Sequence, residues 1–322
     1  MNNTLKYLFL ALLAAALALA PLVIYPVFLM EALTMALFAA AFNLVFGYSG
    51  LLSFGHAAFY GVAAYATAFL VKDYGFSVEL ALLMAVTMSG LLGAAFGALA
   101  LKRRGIYFSM VTLALAEVVY FVALRWPATG GENGLQGVPR GKLFGLLDLN
   151  NTTTLYFVVL VVVLAALAFI YRIVHSPFGM VLRGFSDSEQ RTLSLGYEVQ
   201  QHLLVVMTLS AGLAGLAGGL KVLVFQFATL SDLSWHLSGL VVLACLIGGT
   251  GTFWGPVLGG LAIALLHSLL AESGNWVTLI QGLIFVACVH FFRDGFVGTM
   301  SKRLRARYSS TSQKPISQVT EP

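Results

Sequence analysis

Two ionisable side chains in this sequence lie within apolar stretches, and one of them is a candidate for chemistry. Glu117 is surrounded by Ala, Leu and Val residues, and Lys221 lies near the end of another apolar stretch. An ionisable group inside a membrane span is costly unless it faces protein or water, so Glu117 is a candidate functional group. The alternative for Glu117 is a structural pairing with a polar group on a neighbouring span.

Three further polar residues bracket a break in an apolar run. Asn43, Ser53 and His56 surround the glycine-containing segment Gly47–Gly50. A broken helix leaves backbone polar groups free, and a membrane tolerates this only where those groups face protein or a water-filled cavity. The break therefore predicts part of a translocation pathway. The alternative is a tight turn in which His56 is a satisfied interfacial residue.

The remaining reactive residues do not form an enzymatic or metal-binding pattern. Cys245 and Cys288 lie far apart, with no second ligand residue at metal spacing, so we expect neither a disulfide framework nor a metal site. The glycines of 248–255 have the wrong spacing for a dinucleotide loop, and Gly141-Lys142 lacks the neighbours that a phosphate loop requires. We expect no catalytic site and no cofactor in this chain.

The composition indicates a membrane protein. The 322 residues are 59% hydrophobic and 10% charged, with a mean hydropathy of +0.91, whereas soluble domains carry about 25% charged residues. Seven uncharged stretches are 20 to 40 residues long, and roughly 20 apolar residues cross a bilayer. We assign the net charge of +5 to membrane orientation. The prediction is an all-α, polytopic integral membrane protein in contact with lipid, not with nucleic acid.

Turn residues divide the apolar stretches into about ten transmembrane helices. The first is interpreted as a retained span, because its apolar run is longer than the core of a cleaved signal. The predicted spans are Tyr7–Tyr25, Pro26–Gly47, Ser53–Val71, Glu79–Leu101, Tyr107–Trp126, Thr154–Arg172, Leu203–Phe227, a short span from Leu237, Trp254–Ala271 and Asn275–Phe292.

The distribution of Lys and Arg predicts the orientation of these spans. One set of connections carries thirteen of them and the other set carries four, and positively charged connections stay in the cytoplasm. Both termini are therefore predicted inside, residues 175–202 inside, and residues 127–153 outside. Residues 1–300 form the predicted membrane domain. Residues 301–322 are predicted to be a disordered cytoplasmic tail.

The long inner connection has the punctuation of two short helices. Ser176 before Pro177 predicts one helix start, Ser186 or Asp187 predicts the cap of a second, and Gly196 ends it. Such amphipathic helices suit a docked soluble partner, and the alternative is an ordinary interfacial segment. The apolar residues that they would present are Phe178, Met180, Phe185, Leu193 and Leu195.

This connection also resembles a known family. Residues 176–179, Arg183, residues 188–191 and residues 195–197 resemble the coupling segment of branched-chain amino acid importer permeases of the ATP-binding-cassette superfamily, of the LivM type. The resemblance covers roughly residues 30–298, and several motifs in order are more specific than any one glycine pattern. The other matching motifs are 43–61, 104–117, 129–137 and 248–256. The chain departs at Thr192, where many relatives have a small residue, and at Leu240, where many have an acidic one.

The resemblance implies a type II-like ABC importer permease fold in the bacterial inner membrane. It also implies a homologous LivH-type permease subunit, two cytoplasmic ATPase subunits that bind ATP and Mg, and an extracytoplasmic substrate-binding protein. The residues expected to couple to the ATPase are Pro177, Phe178, Gly179, Arg183, Asp187, Glu189, Arg191, Leu195 and Gly196.

Three further groups complete the predicted sites. The translocation pathway is assigned to Asn43, Ser53, His56, Tyr107 and Glu117. Docking of the binding protein is assigned to Gly130, Gly131, Asn133 and Gly134, for which the alternative is a plain turn-rich loop. Close helix packing is assigned to Ala211, Gly215 and Gly219, which recur every four residues.

The expected function is ATP-driven translocation of hydrophobic amino acids such as leucine, isoleucine and valine. Related permeases for urea, short amides or other amino acids are the alternative. A stand-alone secondary transporter is a further alternative, but it would normally carry several intramembrane ionisable groups. A membrane-embedded enzyme is the last, because no nucleophile lies beside a base.

The role of Glu117 can be tested by the isosteric change Glu117→Gln. If the carboxylate contacts substrate, uptake kinetics should change while the amount of assembled complex stays the same. Uptake assays on membranes with matched expression would measure this. A loss of assembled complex would instead indicate a structural pairing.

Overall fold

The computed structural model describes residues 19–270 and residues 279, 280, 282, 283 and 286. Helices dominate this part of the chain. Their bounds are α1 Pro26–Ser49, α2 His56–Lys72, α3 Val78–Ala100, α4 Ile106–Arg125, α5 Thr152–Val174, α6 Pro177–Asp187, α7 Glu189–Ser194, α8 Val199–Phe225, α9 Trp235–Gly248 and α10 Trp254–Leu270.

The predicted spans agree with these helices wherever both can be compared. The eight spans from Pro26 to Ala271 correspond to α1–α5 and α8–α10, with bounds shifted by a few residues. Helices α1, α3, α4, α5 and α8 are long and apolar enough to cross a membrane, and α9 and α10 are shorter apolar helices. The chain is therefore a mostly helical, multi-pass membrane protein.

The first and tenth predicted spans lie largely outside the described residues. Residues 19–23 are helical, as are residues 279, 280, 282, 283 and 286. The tail 301–322 and Cys288 also lie outside. The total of ten spans and the cytoplasmic location of both termini stay predictions.

The all-α prediction needs one amendment, since the described residues include four two-residue strands. Strand β1 (Leu135–Gln136) pairs antiparallel with β4 (Phe227–Ala228), in the register Leu135↔Ala228. Strand β2 (Lys142–Leu143) pairs with β3 (Leu147–Asp148). Hydrophobic periodicity needs more residues than this to reveal a strand. The β1–β4 pair ties the predicted outer loop to the chain that follows α8.

Helices α1 and α8 are the most buried of the five helices that are long and apolar enough to cross a membrane. The sequence of α1 is mostly apolar and has no distinct polar face, which is typical of a helix buried within protein or membrane. Pro26 occupies the first turn, where its missing N–H costs nothing. The helix ends at Gly50, whose left-handed backbone (φ 72°) lets its N–H reach Phe46 O. Helices α5, α8, α9 and α10 surround it.

Small residues allow α8 to approach α2 and α3 closely. A side chain at Gly218 would overlap the carbonyl oxygen of Tyr60, and one at Gly215 would crowd Ser89. The Ser89 hydroxyl lies 2.9 Å from Phe59 O and 2.7 Å from Ala211 O, so it can donate to a backbone carbonyl of either α2 or α8. Ala211, Gly215 and Gly219 thus lie where three helices meet, as membrane helix contacts favour.

The bundle has two distinct ends. The end that carries residues 127–151 and the β1–β4 pair is called the loop end. The opposite end carries α6 and α7 and is called the short-helix end. Helices α1, α5 and α8 run between the two ends.

The close approach of α8 and α2 predicts different outcomes for two helical glycines. Gly218→Ala should lower stability by about 1–3 kcal/mol or more, because the new methyl group meets backbone that cannot move aside. Gly239→Ala is the matched control, since nothing lies within 4 Å of a Cβ there. This change should raise the free energy of unfolding by up to about 1 kcal/mol, because Ala favours a helix more than Gly does. Thermal unfolding in detergent measures both. Equal melting temperatures for the two variants would contradict the packing.

Candidate functional site

A cavity of about 1000 Å³ lies at the loop end, between α1, α8, α9 and α10. Its apolar lining residues include Met35, Leu237, Leu240 and Ile263. The lining also contains ionisable and hydroxyl-bearing residues, among them Glu31, Thr34, Lys221, Asp232, His236 and His267. A space with an apolar wall and a few convergent polar groups is typical of a small-molecule site.

Lys221 and Asp232 form a buried ion pair in this cavity. Lys221 Nζ lies 2.8 Å from Asp232 Oδ2, and the two side chains are 11% and 10% exposed. The ammonium group also donates to Phe227 O at 3.3 Å and lies 4.2 Å from the centroid of the Phe227 ring. These contacts compensate a charge that would otherwise be costly in the membrane.

The position of Asp232 is fixed by a capping box. The carboxylate accepts a hydrogen bond from Thr229 N at 3.0 Å, while the Thr229 side chain caps the short turn Leu230–Leu233. Sequence reasoning identified Lys221 as an intramembrane cation but left its partner unassigned. The spacing Thr229-x-x-Asp232, an acid three residues after a hydroxyl, is the signal that marks this turn.

Glu31 is the second acidic group of the cavity. It lies in the second turn of α1, and its side chain is 26% exposed. Its ion-pair partner is His267 Nδ1 at 3.7 Å, which is charged only when protonated. Sequence reasoning gave Glu31 no role. Its position inside the predicted span Pro26–Gly47 is the signal that was missed.

The charges of the cavity do not balance when its histidines are neutral. Glu31 and Asp232 supply two carboxylates, and Lys221 supplies one ammonium group. Because Lys221 is committed to Asp232, the carboxylate of Glu31 is the group left without a strong cation. The cavity therefore favours a ligand that brings a positive charge to Glu31.

The short-helix end presents an amphipathic surface, with two differences from the prediction. Ser176 accepts a hydrogen bond from Gly179 N at 3.4 Å and Pro177 is the first helical residue, as expected. The cap of α7, however, is Ser188 and not Ser186 or Asp187, because α6 continues through Asp187 and the backbone becomes extended only at Ser188.

The second difference concerns the exposed residues of that surface. Phe185 was expected to face a partner, but it is buried beside the ring of His202 on α8. Thr192 is buried too, and its hydroxyl donates to Ser188 O at 3.0 Å, so it packs within this chain. The apolar side chains that remain exposed are Met180, Leu193 and Leu195.

Two contacts fasten the short helices to the bundle. Arg104, in the connection between α3 and α4, donates from Nη2 to Glu189 Oε1 at 2.8 Å and from Nε at 3.2 Å. The Arg183 guanidinium lies 5.2 Å from the centroid of the Tyr48 ring, at the end of α1. A displacement of α6 or α7 therefore acts directly on α1 and on the α3–α4 connection.

The predicted pathway residues are not part of the loop-end cavity. Asn43 donates from Nδ2 to Thr252 O at 2.9 Å and accepts from Gly251 N at 3.2 Å, so it joins the two glycine breaks. Ser53 is fully buried, and its hydroxyl accepts from Gly55 N at 3.2 Å. His56 is also fully buried, with Nε2 2.9 Å from the Ser210 hydroxyl.

The other two pathway candidates lie on α4. Tyr107 is exposed near the start of the helix, and Glu117 is partly exposed in its second half. Within the described part of the chain, no hydrogen bond or ion pair is recorded for Glu117. A role of these five residues in translocation stays a prediction.

The predicted docking residues form a structured turn. Gly130 and Gly134 have positive φ values of 75° and 65°, and a side chain at Gly134 would overlap the carbonyl oxygen of Ala228. Nearby, Arg140 donates to Leu223 O at 2.9 Å and Val224 O at 2.6 Å, satisfying carbonyls at the end of α8. Partial burial lowers the pKa of Arg140. Docking of a binding protein here stays a prediction.

The family model and the curated relatives that match this chain indicate the same family. A family model described as "Branched-chain amino acid transport system / permease component" matches residues 25–289. Two curated relatives are the high-affinity branched-chain amino acid transport system permease proteins LivM of Escherichia coli (strain K12) and Salmonella typhimurium (strain LT2). Each is 27% identical over 82% of this chain and 68% of the relative. No solved structure matches the chain.

The Lys221–Asp232 pair predicts a characteristic pattern of stability. Lys221→Met should destabilise the protein by about 3–5 kcal/mol, because it leaves Asp232 as a buried charge without its cation. The double variant Lys221→Met/Asp232→Asn should recover much of that loss, since Asn keeps an acceptor for Thr229 N. Thermal unfolding in detergent measures the cycle. Additive losses in the double variant would contradict a coupled pair.

Proposed function

This chain belongs to the family of permease components of branched-chain amino acid transport systems, and we propose that a partner ATPase drives it through α6 and α7. As a permease subunit of an ABC importer it does not hydrolyse ATP. In this proposal ATP and Mg are bound by two cytoplasmic ATPase subunits at the short-helix end. A homologous LivH-type permease subunit completes the translocation unit in the bacterial inner membrane.

The observation that carries the proposal is the fastening of the short helices to the bundle. Met180, Leu193 and Leu195 offer an apolar surface to a soluble partner. Behind that surface, Glu189 contacts Arg104 in the α3–α4 connection, and Arg183 contacts Tyr48 at the end of α1. A partner that moves the short helices would therefore also move α1. This arrangement is what coupling to an external motor requires.

The loop-end cavity and the short helices are joined by α1. The helix has 24 residues and is about 36 Å long at 1.5 Å per residue. Glu31 near its start lines the cavity, and Tyr48 near its end contacts Arg183. In the proposed cycle, a substrate-binding protein docks around residues 127–153 and releases substrate into the cavity. Closure of the ATPase subunits then reverses the side to which the cavity opens.

The proposed substrates are hydrophobic amino acids such as leucine, isoleucine and valine. The apolar lining residues Met35, Leu237, Leu240 and Ile263 suit an aliphatic side chain, and the ionisable lining residues suit a charged head group. Urea and short amides carry no charge for Glu31 to bind, so the cavity favours amino acids over these alternatives.

A transporter that works alone remains the competing function, with one new observation in its favour. The argument from sequence counted only Glu117 and Lys221 within spans, whereas the structure adds Glu31 and Asp232 to the cavity. More ionisable groups suit ion coupling. Family membership favours the ATP-driven mechanism. Uptake by the purified chain with an ion gradient and no nucleotide would favour the competing function.

Charge reversal at Arg104 and Glu189 tests the coupling. Arg104→Glu and Glu189→Arg should each lower ATP-dependent uptake several-fold, because like charges then meet where the helices are fastened. The double reversal should restore most of the uptake. Folding should change little, since a half-exposed pair contributes only about 0–1 kcal/mol.

The exposed neighbour Arg103 supplies a matched control for this experiment. Arg103→Glu makes the same change of charge without a recorded ion-pair partner in the described residues, so uptake should stay near the unmodified level. Uptake would be measured in proteoliposomes with the complete transporter. Single reversals that leave ATP-dependent uptake intact would overturn the proposed coupling.

A further inference from the structure

We propose that the loop-end cavity is a binding site for an α-amino acid zwitterion, in which Glu31 binds the ammonium group. The inference rests on the proposed function, since it assigns a substrate contact within that transport pathway. It adds a residue that the sequence-based assignment of the pathway did not include.

The negative charge of Glu31 is only partly compensated by the protein. Its carboxylate lines the cavity, and its recorded charged contact is His267 Nδ1 at 3.7 Å, beyond hydrogen-bond distance. Lys221 is held by Asp232 at 2.8 Å. A carboxylate within a membrane helix is costly without a cation. An incoming ammonium group, with three donors and one positive charge, compensates it.

Lys221 is the group that would bind the carboxylate of the same ligand. Lys221 has three N–H donors, of which Asp232 Oδ2 and Phe227 O occupy two. The third is available to an anion in the cavity. The cavity thus offers the third N–H of Lys221 to the ligand's carboxylate and the Glu31 carboxylate to its ammonium group.

The cavity is also large enough for the side chain of the ligand. Met35, Leu237, Leu240 and Ile263 contribute apolar surface to the lining of a cavity of about 1000 Å³. This volume is at the upper end of the roughly 300–1000 Å³ of ordinary ligand pockets. It accommodates an amino acid with some water. The aliphatic side chain of the ligand would contact these apolar residues, and its two charged groups would contact the ionisable ones.

The test uses photo-leucine, a leucine analogue with a photoreactive group in its side chain, on the complete transporter. In the unmodified protein, irradiation should label peptides that contain Met35 or Ile263, and excess leucine should prevent the labelling. Glu31→Gln should lower labelling at sub-saturating probe about tenfold, because the amide keeps the shape and removes the charge. Asp73→Asn removes an exposed carboxylate at the same end, outside residues 127–153, and should leave labelling unchanged.

A second probe separates binding from a structural role of Glu31. 4-Methyl-pentanoate has the leucine side chain and carboxylate but no ammonium group. Its ability to compete with photo-leucine in the unmodified protein should be weak, and Glu31→Gln should not weaken it further. If Glu31 only shapes the cavity, the variant should weaken leucine and the deaminated analogue equally, and that result would overturn the inference.

The outcomes also distinguish this inference from the function on which it rests. If the unmodified transporter takes up leucine with ATP, but photo-leucine labels no residue of this cavity, the inference fails and the proposed function stands. If the unmodified transporter shows no ATP-dependent uptake of leucine, the proposed function fails first.

Discussion

The packing of α1 is the constraint on which the rest of the structure depends. This helix is mostly apolar, has no distinct polar face, and packs against α5, α8, α9 and α10. It can shift only if its neighbours repack, because closely packed interiors resist deformation. Its two ends meet the two functional regions, with Glu31 in the cavity and Tyr48 against Arg183 of α6. A displacement of the short helices is therefore transmitted to the cavity through α1.

Buried polar side chains keep this arrangement compatible with a membrane. The membrane interior offers no water to satisfy backbone groups at a helix break. Asn43 satisfies groups at the break between α9 and α10 through Thr252 O and Gly251 N. Ser210 donates to Ala41 O at 2.6 Å and receives the Nε2–H of His56, if that nitrogen carries the proton. These contacts join α1 to α2, α8 and the second break.

Much of the fold follows from the sequence because long apolar runs leave few choices. Uncharged stretches predicted eight helices between Pro26 and Ala271, and Ser176 with Pro177 predicted the start of α6. The small residues of α8 predicted a close contact, and the structure places Gly215 against Ser89. The signals are local in each case, since they depend on length, caps and spacing along one helix.

The parts that sequence reasoning missed depend on contacts between distant segments. Glu31 and Asp232 line one cavity only because the fold brings α1 and the turn after α8 to the same space. The β1–β4 pair joins residues about ninety positions apart through two residues on each strand. The burial of Phe185 depends on His202 of α8. No periodicity within one helix encodes such proximity, so the candidate site was less predictable than the helices that form it.

Coupling of the ATPase to the cavity through α1 is tested most directly by the accessibility of the cavity during the ATP cycle. A cysteine at Phe28, which lies on α1 and lines the cavity, would be introduced with Cys245 and Cys288 replaced by serine. In the complete transporter, its reaction rate with a membrane-impermeant maleimide would be compared without nucleotide and with nucleotide trapped by vanadate. A coupled α1 predicts that trapping changes the rate several-fold. Equal rates in the two states, in a transporter that hydrolyses ATP, would contradict the account.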